Sequence, residues 1–351
     1  MSVTLKSRTA RDAAALIEAG AAPEARRAEI EAVAERYAVA VTPAMLDLID
    51  ADDPEDPIAR QFVPSLAELD ARPEELADPI GDEARSPVKG IVHRYPDRVL
   101  LKPMHVCPVY CRFCFRREKV GPGGEALGEA ELDAAIAYVA ERPEIWEVIL
   151  TGGDPLMLSP RRLKHIFSRL DAIPHLGVVR LHSRVPVVDP ARIDTALLDV
   201  LSGAEKTVWL AVHANHEREL TEEARAALKT LHGAGVSLVG QTVLLRGVND
   251  DAATLEALFR AMVRARIKPY YLHQGDLAPG TSQFRTGIEE GQALMRRLRG
   301  RLSGLAQPTY VLDIPGGHGK VPIGPAWLEG SDAEGWVVED VNGVKRRYRP
   351  A

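Results

Sequence analysis

The chain has 351 residues, enough for about two average domains or for one α/β barrel with additions. Its composition, 46% hydrophobic and 27% charged with 28 Gly and 25 Pro, excludes fibrous, unfolded and disulfide-built classes. Forty-four Lys and Arg against 50 Asp and Glu leave a net charge of −6, so neither nucleic acid nor an anionic membrane surface is an expected partner. No apolar run nears the roughly 18 residues of a spanning helix, and the first residues (MSVTLKSRTARDAAALIEAG) lack the apolar core of a signal peptide. A cytoplasmic location is the expectation.

The first 50 residues read as helical. Pro23 precedes a stretch with apolar positions at helical spacing, PEARRAEIEAVAERYAVA, and Thr42-Pro43 opens a further short helix. Residues 51–92 are rich in Pro, Asp and Glu without a sustained period, and read as a long extended connection wrapping a body. The main domain is expected from 93 to 325, with 1–92 as an N-terminal helical region and linker and 326–351 as a short C-terminal tail.

From residue 93 the sequence alternates. Strand-like runs at 98–106, 147–151, 178–183, 207–213, 237–245, 269–274 and 309–314 are separated by amphipathic stretches such as 130–141, 191–201, 221–233, 254–266 and 284–300. Strand, helix, strand repeated in this way is the pattern of parallel βαβ units. The fold class expected is α/β: a parallel (β/α) barrel, partial or complete, carrying an N-terminal helical extension. Its chemistry would sit at the C-terminal ends of the strands.

All three cysteines lie within eight residues, Cys107, Cys111 and Cys114, in the pattern C-x3-C-x2-C at the end of the first barrel strand. An odd count excludes a complete disulfide framework and favours a reducing compartment. A tetrahedral zinc site would need a fourth ligand such as a nearby His. Three thiolates on one loop suit a [4Fe–4S] cluster whose fourth iron stays open to an outside ligand. With the aromatic Phe113 before the last cysteine, the motif resembles the radical S-adenosylmethionine (SAM) enzymes. That resemblance implies a chelated SAM and a 5′-deoxyadenosyl radical made with one electron from a reductant such as a flavodoxin or ferredoxin.

Two further segments carry chemistry. The second strand ends in Thr151-Gly152-Gly153-Asp154, which by itself is an ordinary βα turn and, as the strand after the cysteine loop, resembles the place where radical SAM enzymes hold the amino end of SAM. The run DIPGGHGK, Asp313 to Lys320, puts a lysine after a glycine-rich turn. Such a turn can be a phosphate cradle or a plain exposed turn; a neutral lysine there can also bond pyridoxal 5′-phosphate (PLP) covalently.

Taken together, HRYPDRVLL (93–101), the cysteine motif with Phe115-Arg116-Arg117, TGGDPL, SRVPVVDPARI (183–193), QTVLLRGVND (241–250), KPYYLHQGDL (268–277), FRT (284–286) and DIPGGHGK resemble the lysine 2,3-aminomutase family. The likeness runs in one order from about residue 42 to about 325. It implies a PLP-dependent radical SAM isomerase that moves the α-amino group of L-lysine to the β-carbon. Lys320 resembles the lysine that holds PLP, and Arg94, Tyr95 and Arg98 the segment around its phosphate. Gly152, Gly153, Asp154, Ser183, Arg184, His213 and Gln241 match positions around SAM. Arg116 resembles the grip on the substrate carboxylate, and Asp276 with Asp313 the acidic pair for the distal ammonium. That pair disfavours a substrate with a distal carboxylate by several kcal/mol.

Two positions depart from the family pattern: His318 interrupts an often all-glycine turn, and His273 stands where some relatives carry Tyr. The chain also lacks the cysteine-bearing C-terminal extension of the lysine-fermenting relatives. It thus resembles the shorter branch that makes β-lysine for elongation factor P, and association into a homo-oligomer stays open. The rival readings are a radical SAM enzyme acting on a peptide or protein without PLP, and a non-enzymatic iron–sulfur or metal-binding protein.

Overall fold

The computed structural model describes residues 8–121, 124–332 and 335–349. Seven strands lie parallel and in sequence order: β2 Arg98–Met104, β3 Glu147–Gly152, β4 Val178–Ser183, β5 Thr207–His213, β6 Ser237–Val243, β7 Lys268–His273 and β8 Thr309–Asp313. These are the seven runs read from the sequence, with some ends shifted by one or two residues. The same sheet is extended antiparallel at both margins, by β1 Ile91–Tyr95 beside β2 and by β9 Lys320–Pro322 beside β8. Neither β1 nor β9 has a second neighbour strand, so the barrel is partial.

Helices return the chain between the strands, at Glu129–Ala140, Pro160–Asp171, Thr195–Ser202, Glu222–Gly233, Ala252–Arg264 and Ile288–Arg299. Their starts are set by local chemistry. Asp194, Thr221 and Asp251 place a side-chain oxygen on the free amides of the first turn, and Ser159 does so ahead of Pro160 at the first helical position. Their apolar stripes, for example Leu163, Ile166, Phe167 and Leu170, pack on the outward residues of the strands in one continuous core. Along β4 the split is visible residue by residue: Val179 and Leu181 are fully buried under the helices, whereas Arg180 and His182 stand on the concave face.

The N-terminal segment is helical as expected, at Ala13–Glu18, Arg27–Ala34 and Pro43–Leu46, the last beginning at Thr42 and Pro43. Residues 51–92 hold more order than an extended linker. Asp56 caps a helix at Pro57–Phe62 through Ile58 N and Ala59 N, and Ser65 with Glu68 forms a reciprocal cap on a turn at Leu66–Leu69. These elements are too short to show a period. In 326–351, β10 Leu328–Asp332, β11 Gly335–Glu339 and β12 Lys345–Tyr348 form a separate antiparallel sheet. Among the described residues no helix is long and apolar enough to cross a membrane.

Candidate active site

The cysteine loop leaves the end of β2 and is gripped from below by the end of β3. Gly153 N donates to Met104 O at 2.7 Å and Asp154 N to Val106 O at 3.0 Å. A Cβ on Gly153 would lie 2.4 Å from Val106 O and one on Gly152 2.8 Å from Met104 O, so the glycine pair is what lets the two backbones approach. Asp154 is buried and turns toward β4. It accepts from Ser183 Oγ at 2.8 Å and from the amides of Leu156, Arg184 and Val185 at 3.0, 2.8 and 3.2 Å. Burial pushes its carboxyl up against these bonds.

Cys107, Cys111 and Cys114 line one cavity together with Tyr37, Tyr110, Arg112 and Arg117. Burial raises the thiols of Cys107 and Cys114, the latter to about 11, so deprotonation there needs a positive partner such as a bound metal. No three His, Cys, Asp or Glu side chains among the described residues converge on a single ion. A cluster takes its thiolates at separate iron corners, which fits three cysteines spread around one cavity better than a mononuclear ion does.

Arg184 binds this loop to the body of the barrel. Its Nη1 donates to Cys111 Sγ at 2.8 Å, and its Nη2 to Gln61 Oε1 at 2.5 Å and Glu219 Oε2 at 2.7 Å. Burial opposes the charge, yet Cys111 and Glu219 outweigh it and raise the guanidinium's pKa. Glu219 is fully buried and also accepts from the amides of Asn215 and His216. The sequence reading missed Gln61 and Glu219, whose bonds to Arg184 span 123 and 35 residues.

His213 and Gln241 sit side by side in register at the ends of β5 and β6. Burial drives His213 down to about 3, so it is a neutral imidazole at any working pH, and its ring lies 5.6 Å from that of Phe113. The aromatic residue before the last cysteine thus bridges the cysteine loop to β5. Gly152, Gly153, Asp154, Ser183, Arg184, His213 and Gln241 all gather at one mouth with the three cysteines.

The second group gathers at the open side of the barrel, where β1 faces β8 and β9. Lys320 N donates to Tyr95 Oη at 2.6 Å. Lys320 Nζ is bonded to Asp313 and lies 3.2 Å from His273 Nδ1. Arg94 reaches Ile80 O at 2.5 Å, Asp82 at 3.3 Å and Asp313 at 3.8 Å, and its buried Nε has no partner among the described residues. Arg98 bonds Asp97 and stacks over the Tyr95 ring at 3.8 Å. Burial opposes the charge of Asp313, but His273 and Lys320 hold its carboxyl well below the usual range. His318 is exposed on the turn.

Asp276, on the loop after β7, is different. Burial, reinforced by the charge of Asp313, raises its carboxyl to about 7, and its side-chain oxygens accept no hydrogen bond among the described residues. The cations Lys320, Arg116 and Arg94 pull weakly the other way. Arg116 places Nε and Nη2 on one oxygen of Asp82 at 3.2 and 2.9 Å. Asp82 is also 3.5 Å from Lys102, so one buried carboxylate collects three cations. It stays ionised: burial works against its charge, and Arg116, Lys102 and Arg94 overcome it. The sequence reading missed Asp82, which stands in the Pro- and Asp-rich segment. Lys102 left a signal, being a lysine at an inward position of a strand that is apolar from Val99 to Leu101.

These residues fit both groups that the cysteine and lysine motifs imply. Three thiols around one cavity suit the cluster. An unpartnered Arg94 Nε beside Lys320, Tyr95 and Arg98 suits a phosphorylated cofactor bonded at Lys320 Nζ.

The profile described as the radical SAM superfamily matches residues 101–258, and that described as lysine-2,3-aminomutase matches 295–350. The chain is 41% identical over 310 residues to an L-lysine 2,3-aminomutase of Clostridium subterminale, covering 88% of this chain and 74% of that one. It is 38% identical over 288 residues to an L-lysine 2,3-aminomutase of Escherichia coli, covering 82% and 83%. A glutamate 2,3-aminomutase of Clostridioides difficile matches at 38% over 299 residues, covering 85% and 70%. With this extent of identity across a chain whose three cysteines stand at the end of the first parallel strand of a partial barrel, the protein belongs to the lysine 2,3-aminomutase family of radical SAM isomerases.

Proposed function

We propose that this chain converts L-lysine to β-lysine, with PLP bonded at Lys320 and with a [4Fe–4S] cluster and SAM at the cysteine loop. The observation that carries the reading is the acidic pair: Asp313 already holds one ammonium, that of Lys320, and Asp276 beside it is a buried carboxylate with no hydrogen-bond partner among the described residues. When Lys320 is bonded to the cofactor, its charge leaves Asp313, and the distal ammonium of the substrate would take its place between the two carboxylates. A ligand cation draws Asp276 into its ionised form and strengthens the contact.

The residues at the other end suit the substrate's carboxylate. Arg116 spends Nε and Nη2 on Asp82, which fixes the plane of the guanidinium and leaves Nη1 without a hydrogen bond among the described residues. An amino acid stretched between Arg116 and the acidic pair has its β-carbon held in one place, which is what a positional hydrogen transfer requires. His213 and Gln241, with the turn around Asp154, would hold SAM against the cluster. The bound groups supply the one-electron cleavage and the stabilisation of the migrating nitrogen, while the protein positions the substrate and excludes water.

Glutamate is the alternative within the family. A distal carboxylate would face Asp276 and Asp313, a repulsion of several kcal/mol, which favours lysine. Anaerobic incubation of the reconstituted protein with labelled L-lysine or labelled L-glutamate, SAM, PLP and a one-electron reductant tests the choice. β-Lysine from lysine and no product from glutamate is the expected result; turnover of glutamate alone sinks the assignment.

A further inference from the structure

His182 stands on the concave face of β4, paired in register with Ala211 of β5, and its Nε2 is buried without a hydrogen-bond partner among the described residues. The neighbouring inward side chain of β4, Arg180, is paired with Glu147, its Nη2 donating at 3.1 Å, although its buried Nε also lacks a hydrogen bond among the described residues. A buried polar atom left unsatisfied costs about 1–3 kcal/mol, so an isolated one beside a binding site indicates a partner that arrives with the ligand.

The surroundings define that partner. After its burial, the groups that most affect the imidazole are the positive charges of Arg180 and Arg116, His273 when protonated, and Lys320. With burial they keep it neutral, and Arg180, Arg116 and Lys320 are each paired with a carboxylate, Glu147, Asp82 and Asp313. Neutral imidazole can donate one N–H, and the anionic oxygens of PLP and the amino acid are the acceptors that the proposed ligands bring. Arg116 and Lys320 are also the two residues between which the proposed substrate is stretched.

We propose that His182 is a ligand-contacting residue that donates its Nε2 hydrogen to an anionic oxygen of the bound PLP and amino acid. This deepens the reading given above and rests on it. The oxygen can belong to the amino acid's carboxylate or to the cofactor.

Histidine-selective 15N NMR of the anaerobic protein, its cluster oxidised and its PLP first removed with hydroxylamine, separates the two sources. Comparison with His182→Asn assigns the resonance. A downfield donor shift of His182 Nε2 on adding PLP alone identifies the cofactor oxygen; a shift only after L-lysine follows PLP identifies the carboxylate. The variant should bind the corresponding ligand about three- to tenfold more weakly, the range of one neutral hydrogen bond. Should His182→Asn fail to fold, His182→Gln assigns the resonance in its place. An unmoved resonance in a protein that shows the visible band of lysine-bound PLP overturns this inference alone. Absence of that band overturns the PLP reading and this inference with it.

Discussion

Tyr95 and Lys320 join the two margins of the sheet: the amide of Lys320 on β9 donates to the hydroxyl of Tyr95 on β1 at 2.6 Å, across the side where the barrel has no strand. Arg94 and Asp313 lie across the same opening at 3.8 Å. The residues expected to hold PLP are therefore also the ones that span the open side. This couples the lysine turn, which follows the last parallel strand, to a segment 225 residues earlier.

Tyr95→Phe should consequently act on both stability and cofactor binding. Loss of the acceptor leaves the Lys320 amide unpaired and costs about 1 kcal/mol. Denaturant unfolding of the PLP-free protein measures that cost, and PLP titration measures the accompanying loss of affinity, expected to be several-fold. Unchanged values in both experiments would show that the contact across the opening does nothing.

Gly153→Ala tests the grip of β3 on the cysteine loop. Its new Cβ would come within 2.4 Å of Val106 O, a backbone atom that cannot rotate away. The loop must shift, at a cost of about 1–3 kcal/mol, and the cysteines shift with it. Iron and sulfide content after reconstitution should fall well below that of the unmodified protein. Full cluster loading with normal stability would contradict the close approach.

Lys320→Ala should abolish covalent PLP while leaving the cluster intact, because the lysine hangs from β9 and the cysteines from the end of β2. Borohydride trapping of the unmodified protein followed by peptide mapping should place the pyridoxyl group on Lys320. A label on Lys102, the other lysine of the barrel interior, would mean that the glycine-rich turn has been misread.

Asp276→Asn isolates the distal-ammonium contact better than Asp313→Asn, since the latter also releases Lys320. One charge-assisted bond is worth about 1.5–3 kcal/mol, so capture of lysine should weaken roughly 10- to 150-fold. An uncharged analogue of the same length should lose much less.

The raised carboxyl of Asp276 gives a pH signature. Below about 7 it is protonated in the free protein and attracts the lysine ammonium poorly; above about 7 it is ionised. The kcat/KM for lysine should rise as pH increases through this range, since that parameter reports groups of the free enzyme. Asp276→Asn should remove this rise while leaving any steps due to other groups in place. An identical profile in the variant would assign the step elsewhere.

The sequence by itself determined the seven parallel strands, since each is a short β-branched run bounded by an amphipathic helix, and local periodicity suffices to read such units. It also made the cysteine triad stand out by residue type and spacing, whereas the role expected of Lys320 rests on the family resemblance. The sequence did not reveal β1 and β9, the short strands at the two margins of the sheet that Tyr95 and Lys320 link across the opening. Nor did it reveal Asp82 or Glu219, buried carboxylates that hold Arg116 and Arg184, or the unpartnered nitrogen of His182. The physical reason is the same in each case. An ion pair or an empty hydrogen-bond position inside a barrel depends on which strands the fold brings face to face, and residues 34 to 225 positions apart leave no shared pattern along the chain.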